Sequence, residues 1–337
     1  MNFDTTITRL RMLIEKTLCP LVDADYMFLD LPFYQNPGDT LIWEGTEQFL
    51  EKLPHKCIYR SSYDTFVPQD ISSDVVILMQ GGGNFDDIWR EHQKFRLSII
   101  RRYQKNRIII LPQSVHYDDV DNLREDARIM GEHPELIICA RDRRSYRILE
   151  ENRFSKNILL LPDMAFCIHD AFISQYRSKM ISEKSLFVKR GDKEFMKSGV
   201  YEKRLGKIPD LVIQDWPSYE NSDDRVIGEF WRIKDNESRT EYIRYAEHVL
   251  RPYLLELGIG FISSYDKIYT TRLHVAILCV LLHKPVCMFD NSYGKNREFY
   301  ETWFVNVRGV RFIYDSGFDR IKALWKYFCC TVLKIKN

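Results

Sequence analysis

Short apolar runs separated by longer mixed segments recur along the first half of the chain. A continuous apolar run of four to eight residues between turn residues is typical of a strand that is buried on both faces. Such runs occur at residues 26–31, 56–60, 74–79, 107–111, 135–140 and 158–161. Helical patterns separate them, and one helix is predicted over 85–103. This alternation predicts a parallel sheet with helices on both faces.

The second half repeats the alternation on a smaller scale. Strands are predicted at residues 185–188, 266–269, 286–290 and 310–314, and helices at 238–257, 272–282 and 295–303. The polar segment 171–184 separates the halves, and the charged segment 205–235 predicts no clear element. We therefore predict an N-terminal α/β domain over 1–175, a C-terminal α/β domain over 185–315 and a closing helix over 316–337.

The composition is that of a globular protein without a strong net charge. The 337 residues are 45% hydrophobic and 29% charged, and the formal net charge is +1. This balance gives no reason to expect general nucleic-acid binding, which needs a basic surface. No apolar run approaches the ~20 residues that span a bilayer, and the first residues lack the apolar core of a secretory signal. We therefore expect a cytoplasmic protein.

Two common sequence signatures are absent. The cysteines are scattered without a Cys-x-x-Cys pair, so neither a zinc ribbon nor a dithiol redox centre is indicated. The stretch Gly81-Gly82-Gly83-Asn84 is not a dinucleotide fingerprint, because position 86 is Asp where glycine is needed. It predicts instead a turn in which a ligand can approach the backbone closely.

Polar residues and glycines cluster where the predicted strands end. In a parallel sheet, ligands bind beyond the carboxyl ends of the strands. The residues at these ends in the first half are Asn36, Gly38, Asp39, Gly81 to Asn84, Gln113, Ser114, Arg141 and Asp163. The sequence therefore predicts a site along this edge.

The junction Thr270-Thr271-Arg272-Leu273-His274 joins a predicted strand to an apolar helix in the second half. The free backbone N–H groups and the dipole of a helix N-terminus favour an anion. The guanidinium of Arg272 suits a carboxylate or phosphate, and His274 can transfer a proton near neutral pH. We predict a site for a small, multiply charged anion. The alternative is that Arg272 is a solvated helix cap and His274 a hydrogen-bonded helix residue.

Six short motifs, in this order, resemble those of the polysaccharide pyruvyl transferases over residues 25–305. They are Asn36-Pro37-Gly38-Asp39, Gly81-Gly82-Gly83-Asn84-Phe85-Asp86-Asp87, Leu111-Pro112-Gln113-Ser114, Ala140-Arg141-Asp142, Leu161-Pro162-Asp163-Met164 and Thr271-Arg272-Leu273-His274. The resemblance implies a GT-B-like fold, with two Rossmann-type domains facing a cleft. It also implies transfer of a pyruvyl group from phosphoenolpyruvate to two hydroxyls of one sugar, giving a cyclic ketal.

The resemblance also implies roles for individual residues. Arg272, Leu273 and His274 match the donor-site Arg-Leu-His, Arg141 matches the arginine of the first half, and Arg190 matches one that follows the first strand of the second half. We expect Arg141, Arg272 and His274 to be catalytic. The expected substrate-binding residues are Arg190, Leu273, Asn36, Gly38, Asp39, Gly82, Gly83, Asn84 and Gln113. No cofactor or metal is expected, since arginines can neutralise the phosphate.

The chain departs from the family pattern at three positions. The family usually has Asp before the donor-site arginine and Gly after the histidine, where this chain has Thr271 and Val275. Asp86 replaces the glycine that usually precedes the Asp in the glycine-rich motif. Loss of the carboxylate at 271 is expected to weaken the orientation of Arg272, and Val275 adds bulk near the ligand.

Arginines from two domains would bind phosphoenolpyruvate, and domain closure would exclude water. His274 is the expected general acid or base. The acceptor is expected to be a saccharide, lipid-linked or free, and peripheral contact with the inner face of the membrane stays open. Two other functions also stay open: a nucleotide-sugar glycosyltransferase of the same fold, and a non-catalytic member of a polysaccharide-assembly complex.

Overall fold

A seven-stranded parallel sheet occupies the first half of the chain. The computed structural model describes residues 1–192, 194, 205–220 and 224–314. The strands of this sheet are β1 (Tyr26–Leu29), β2 (Cys57–Ser61), β3 (Val76–Met79), β4 (Gly82–Asp86), β5 (Ile108–His116), β6 (Leu136–Ala140) and β7 (Asn157–Leu160). Their order is β2-β1-β3-β5-β6-β7, and β4 pairs with the last part of β5. The continuous apolar runs fit the central strands β1, β3 and β6, which are buried along their whole length.

Helices cover both faces of this sheet. They are α1 (Phe3–Leu18), α2 (Pro37–Leu50), α3 (Arg90–Arg102), α4 (Val120–Gly131), α5 (Arg143–Glu151) and α6 (Asp170–Gln175), with short 3₁₀ turns at Cys19–Leu21 and Met164–Cys167. Side-chain caps fix several starts: Asn36 accepts from the N–H of Gly38, and Asp142 accepts from that of Ser145. The helix over Val120–Gly131 has the predicted limits.

A five-stranded parallel sheet occupies the second half, in the order β12-β11-β10-β8-β9. Its strands are β8 (Ser182–Val188), β9 (Leu211–Gln214), β10 (Tyr265–Thr270), β11 (Val286–Met288) and β12 (Val310–Phe312). Its helices are α7 (Pro217–Glu220), α8 (Arg225–Asn236), α9 (Arg239–Tyr245), α10 (Arg251–Ser263), α11 (Leu273–Leu281) and α12 (Lys295–Phe299), with π-helical turns at Ala246–Leu250 and Tyr300–Phe304. The two parallel sheets with their helices confirm the predicted α/β architecture.

Two sequence predictions around the glycine-rich motif are wrong. The helix predicted from Phe85 begins only at Arg90, because Phe85 and Asp86 belong to β4 and pair with Val115 and His116. The strand predicted to end at Leu111 continues to His116 for the same reason. β3 and β4 thus pair with successive parts of β5. Gly82, the first residue of β4, has φ +143°, a backbone conformation that strongly favours glycine.

Other limits differ less. The unassigned segment 205–235 contains β9, α7 and most of α8, and the predicted helix over 238–257 is divided by a π-helical turn and extends to Ser263. The closing helix predicted over 316–337 lies outside the described residues. The predicted domain limits stay a prediction. The N-terminal segment contacts both halves: Arg11 in α1 donates to the carbonyl of Ile168, and the carbonyl of Met1 accepts from the N–H of Arg308.

The largest hydrophobic cluster extends through both halves of the chain. The apolar helix α11 lies at its centre and is buried along its full length. It packs against α1, α2 and α10, so that its N-terminus is held at the boundary of the two sheets. No helix among the described residues combines the length and the apolar character needed to cross a bilayer.

Candidate functional site

The carboxyl ends of both sheets open onto one cavity of about 970 Å³. This is the large end of the range for sites that enclose a small organic ligand. The first sheet contributes the loop after β1, the glycine-rich turn and the residue after β6. The second sheet contributes residues after β8, β9, β10 and β11. The rule that ligands bind beyond the carboxyl ends of parallel strands therefore applies to both sheets at once.

Most of the predicted site residues line this cavity. They are Asn36, Asp39, Gly82, Gly83, Asn84, Arg141, Arg190, Arg272, Leu273 and His274. The three predicted arginines thus face a shared space, although they come from three different strand ends. Arg141 is supplied by the first sheet, and Arg190 and Arg272 by the second.

Two predicted residues do not line the cavity. Gln113 is fully buried, and its Nε2 donates to the carbonyl of Gln80 and to Oδ1 of Asn84, at 2.8 and 3.2 Å. It therefore holds Asn84 in place instead of facing a ligand. Gly38 lies beneath the imidazole of His274, and a Cβ added there would be 2.6 Å from Nδ1. The absence of a side chain at Gly38 is what allows His274 its position.

Arg272 is held by a carboxylate that the sequence analysis did not anticipate. Its Nε and Nη2 donate to the two oxygens of Asp215, which follows β9, and the Nη2–Oδ2 distance is 2.5 Å. The ring of Tyr219 lies 5.2 Å from the guanidinium carbon. Asp215 therefore orients Arg272, so the absence of a carboxylate at Thr271 is compensated from another strand end. Nη1 of Arg272 makes no hydrogen bond to any described residue.

The surroundings of Val275 and Thr271, two of the three departures from the family pattern, are defined by the fold. Val275 is fully buried in the core and does not line the cavity. Thr271 accepts a hydrogen bond from the backbone N–H of Arg190 through Oγ1, at 3.0 Å. Thr271 thus ties the ends of β8 and β10 together.

Arg141 and His274 meet at a buried carboxylate. Oδ2 of Asp163 is 2.7 Å from Nη1 of Arg141 and 3.3 Å from Nε2 of His274, and Oγ of Ser114 accepts from Nε of Arg141. Burial alone would raise the pKa of Asp163, but the hydrogen bond and charge of His274 and the charge of Arg141 lower it to about 2. Asp163 is therefore ionised at neutral pH and aligns one group from each sheet.

A second network surrounds Glu194. Oε2 of Glu194 accepts from Nη1 of Arg190, Nζ of Lys295, Nδ2 of Asn291 and the hydroxyl of Tyr293, at 2.5 to 3.0 Å. The carboxylate is buried, which by itself raises the pKa, yet Lys295 and Arg190 hold it well below its usual range. Four donors around one oxygen form a cradle for an anion, which Glu194 fills in this structure. Arg190 also pairs with Asp192 through Nε and Nη2.

Lys295 is the most important site residue that the sequence analysis missed. It begins α12, after the loop that follows β11. Its Nζ and Nη2 of Arg141 each lie 3.0 Å from the position of a Cβ on Gly83. The two cations therefore converge over a glycine of the glycine-rich turn. The strand-end rule would have found Lys295 if it had been applied to β11 as it was to the first sheet.

The side of the cavity near α2 is polar and aromatic. Oδ2 of Asp39 accepts from Nδ2 of Asn36 at 2.5 Å and from the hydroxyl of Tyr34 at 3.2 Å. Tyr63 and Trp231 are each more than a third exposed and line the same side. Hydrogen-bonding groups beside exposed aromatic rings are typical of a surface that binds polar organic molecules.

Comparisons with known proteins point in one direction. Residues 36–293 match the family described as polysaccharide pyruvyl transferase. The chain is 31% identical over 299 residues to EpsO of Bacillus subtilis strain 168, a protein named as a candidate pyruvyl transferase; the match covers 87% of this chain and 90% of EpsO. It is 26% identical to Pyruvyl transferase 1 of Schizosaccharomyces pombe, over 86% of this chain and 72% of that protein.

One solved structure is similar in fold. It is the crystal structure of a functionally uncharacterised protein from Klebsiella pneumoniae subsp. pneumoniae NTUH-K2044. The TM-score is 0.59 at 19% identity, and the match covers 92% of this chain and 98% of that chain. The similarity concerns the fold alone. Together with the two parallel sheets that share a cavity, it confirms the predicted GT-B-like arrangement.

Proposed function

The chain belongs to the polysaccharide pyruvyl transferase family, and from that premise we propose that it transfers the pyruvyl group of phosphoenolpyruvate to two hydroxyls of one sugar, forming a cyclic ketal. The observation that carries this proposal is the convergence of Arg141, Arg272 and Lys295 on one cavity between the two sheets. Phosphoenolpyruvate holds a carboxylate and a phosphate close together, so its site needs several fixed cations.

The arginines offer donors that their carboxylate partners leave unused. Nη2 of Arg141 and Nη1 of Arg272 make no hydrogen bond to any described residue, while their other nitrogens are held by Asp163, Ser114 and Asp215. A guanidinium whose orientation is already fixed loses little conformational freedom when it binds an anion. The free N–H groups of Nη2 of Arg141 and Nη1 of Arg272, together with Nζ of Lys295, are the proposed contacts to phosphoenolpyruvate.

Arg190 has a different position from the two other arginines. All of its side-chain nitrogens pair with Asp192 or Glu194. A donor anion that contacts Arg190 therefore competes with these carboxylates and can replace one of them. The Glu194 cradle, which already collects four donors on one oxygen, is the place where such a replacement is chemically suitable.

The proposed chemistry needs a group that gives a proton to phosphoenolpyruvate, and His274 is suitably placed. In the proposed reaction His274 protonates the methylene carbon, which makes the central carbon electrophilic. One sugar hydroxyl adds to that carbon, the bond to the phosphate oxygen breaks, and the second hydroxyl closes the ring. Asp163 and Arg141 beside His274 hold the imidazole in position. Asn36, Asp39 and Asn84 are the proposed contacts to the sugar.

The experiment follows phosphate release and the mass of the product. The protein is incubated with phosphoenolpyruvate and a panel of p-nitrophenyl glycosides, and its melting temperature is measured with phosphoenolpyruvate and with nucleotide sugars. Arg272→Lys keeps the charge but loses the paired contact to Asp215, so we expect turnover to fall by about 100-fold. Arg244→Lys, at an exposed arginine that pairs only with Glu241, is the matched control.

Two results would contradict the proposal. One is that phosphoenolpyruvate neither raises the melting temperature nor releases phosphate with any glycoside of the panel. The other is stabilisation by a nucleotide sugar alone, which would favour a glycosyltransferase of the same fold.

A further inference from the structure

A second histidine–carboxylate pair, His92 and Asp30, lies at the same cavity. Nδ1 of His92 is 2.7 Å from Oδ1 of Asp30, and His92 lines the cavity. Asp30 directly follows β1, and His92 lies in the first turn of α3. Neither residue was singled out by the sequence analysis, because the pair forms only when the first turn of α3 packs beside the end of β1.

The geometry defines the tautomer of His92. A carboxylate oxygen only accepts, so Nδ1 of His92 carries the proton that it donates to Asp30. The neutral imidazole then presents the lone pair of Nε2, and this atom makes no hydrogen bond to any described residue. The rings of Tyr63 and Tyr34 lie 4.6 and 6.0 Å from the imidazole ring and limit its rotation. An oriented imidazole with a free lone pair is a proton acceptor.

The carboxylate is itself fixed by its surroundings. Asp30 is 2% exposed and has φ +65°, a conformation that is uncommon for residues other than glycine. Its Oδ2 lies 3.4 Å from Nη2 of the fully buried Arg96, which also donates to Oδ1 of Asn84 at 2.9 Å. Strained backbone that is maintained by a buried network is a frequent feature of functional sites. Here the network joins Asp30 to the glycine-rich turn.

Asp39 connects His92 and His274 along the cavity. Its Oδ1 is 4.0 Å from Nδ1 of His274, and its Oδ2 accepts from the hydroxyl of Tyr34, whose ring packs against His92. A sugar held by Asp39 therefore lies near both histidines. His274 also lies 3.4 Å from Nη1 of Arg141.

We propose that His92, oriented by Asp30, is the general base that accepts the proton of the attacking sugar hydroxyl. This assignment rests on the proposed pyruvyl transfer. The O–H bond of the sugar breaks as its oxygen bonds to the central carbon of the donor, and the proton goes to Nε2 of His92. Two hydroxyl protons leave the sugar in the whole reaction. One replaces the proton that His274 gives to the methylene carbon, and the other leaves with the phosphate.

The charged groups that face His92 favour this role near neutral pH. Burial lowers the pKa of His92, but the charge and hydrogen bond of Asp30 outweigh burial and raise it, with a smaller contribution from Asp39 and an opposing one from Arg96. A raised pKa makes the neutral imidazole a stronger proton acceptor. Activity should then fall on the acid side as His92 becomes protonated.

The test compares His92→Gln and Asp30→Asn with the wild type, using phosphate release from phosphoenolpyruvate with p-nitrophenyl glycosides. We expect His92→Gln to lower kcat by at least about 100-fold and to leave the dissociation constant of phosphoenolpyruvate unchanged in calorimetry. Asp30→Asn removes the charge that raises the pKa of His92, so the acid limb of the pH profile should move to lower pH. Asn tolerates the positive φ at this position, which keeps the fold intact.

His133→Gln is the control, since His133 is buried against the carbonyl of Tyr103 and does not line the cavity. It should keep the turnover of the wild type. If the wild type transfers the pyruvyl group and His92→Gln retains kcat within about threefold, or raises only the dissociation constant of phosphoenolpyruvate, the assignment of His92 is wrong and the transferase proposal stands. If the wild type consumes no phosphoenolpyruvate with any glycoside, both are wrong.

Discussion

The cavity residues Arg141, Arg190, Arg272 and Lys295 each pair with at least one carboxylate. Buried charges are costly unless they are paired, and the pairing also fixes their direction. In the proposed function, the cavity binds its anion through a few free N–H groups and not through a large net positive charge. This explains how a chain of nearly neutral charge can offer a site suited to a trianion.

Asp86 is the residue where a departure from the family pattern has the clearest physical consequence. It is 1% exposed and stands where the family usually has glycine. Burial raises its pKa to about 7, the nearby Glu194 adds to the rise, and the N–H of Trp89, which donates to Oδ1, opposes it. A carboxyl that is protonated when folded and ionised when unfolded favours folding at low pH. That contribution is complete below the unfolded pKa, near 4, and is lost as the pH rises to 7.

We therefore predict that Asp86→Asn stabilises the protein in a pH-dependent manner. The amide keeps the acceptor for the N–H of Trp89 and cannot ionise. The gain in unfolding free energy over the wild type should grow by about 2–3 kcal/mol between pH 5 and pH 8. Urea denaturation at both pH values measures it. Asp74→Asn, at an exposed aspartate, is the control, and an equal gain at pH 5 and pH 8 would contradict the prediction.

At the scale of elements, the site depends on turns where a side chain is missing. Gly38 in the first turn of α2 makes room for His274, and Gly83 in β4 makes room for Arg141 and Lys295. The approaches of His274 to Gly38 and of Lys295 to Gly83 cross from one sheet to the other. These glycines are therefore required less by their own backbone conformation than by the approach of groups from the opposite sheet.

We predict that Gly38→Ala impairs catalysis more than stability. The added Cβ would lie 2.6 Å from Nδ1 of His274 and would displace the imidazole, so kcat/KM should fall by about 10- to 100-fold. Gly228→Ala in α8 is the matched control, since nothing lies within 4 Å of its Cβ position. It should stabilise the protein by about 0.5–1 kcal/mol without a change in turnover. Wild-type turnover in Gly38→Ala would contradict the role of this contact.

At the scale of the whole molecule, the half-buried ion pair of Arg251 and Glu44 links the helices of the two sheets. Nη2 of Arg251 in α10 lies 2.6 Å from Oε2 of Glu44 in α2, and its guanidinium carbon lies 4.9 Å from the ring centre of Trp43. Glu44 also accepts from Nε2 of Gln48. The two halves share a hydrophobic cluster as well as this pair, so we expect them to unfold together.

Arg251→Met should lower the unfolding free energy by about 2 kcal/mol. This is less than the loss of a fully buried pair, because Arg251 is partly exposed. Adding Glu44→Gln removes the charge left unpaired and should restore part of the loss. Urea unfolding followed by fluorescence and circular dichroism measures both variants. Arg244→Met is the control, and separate transitions for the two probes in the wild type would contradict cooperative unfolding.

The order of elements and the strand-end residues of both halves followed from local pattern. Apolar runs, helical periodicity and turn residues are properties of neighbouring positions, so the α/β architecture and the strand-to-helix junction at Arg272 to His274 were predictable. The turn predicted at Asn36 to Asp39 is instead the capped start of α2, which begins at Pro37. The same pattern failed at Phe85, because pairing with β5 outweighed the helical character of the residues after it. It could not assign 205–235, where packing between the halves replaces a strong local period.

The partners of the predicted site residues and of Lys295 came from tertiary contacts alone. Asp215 holds Arg272 across 57 residues, Asp163 holds His274 across 111, and Glu194 holds Lys295 across 101. Pairing at such separations depends on which strand ends become neighbours, and no local period encodes that. Which carboxylate pairs with which cation could therefore be known only from the folded structure, in which both sheets surround one cavity.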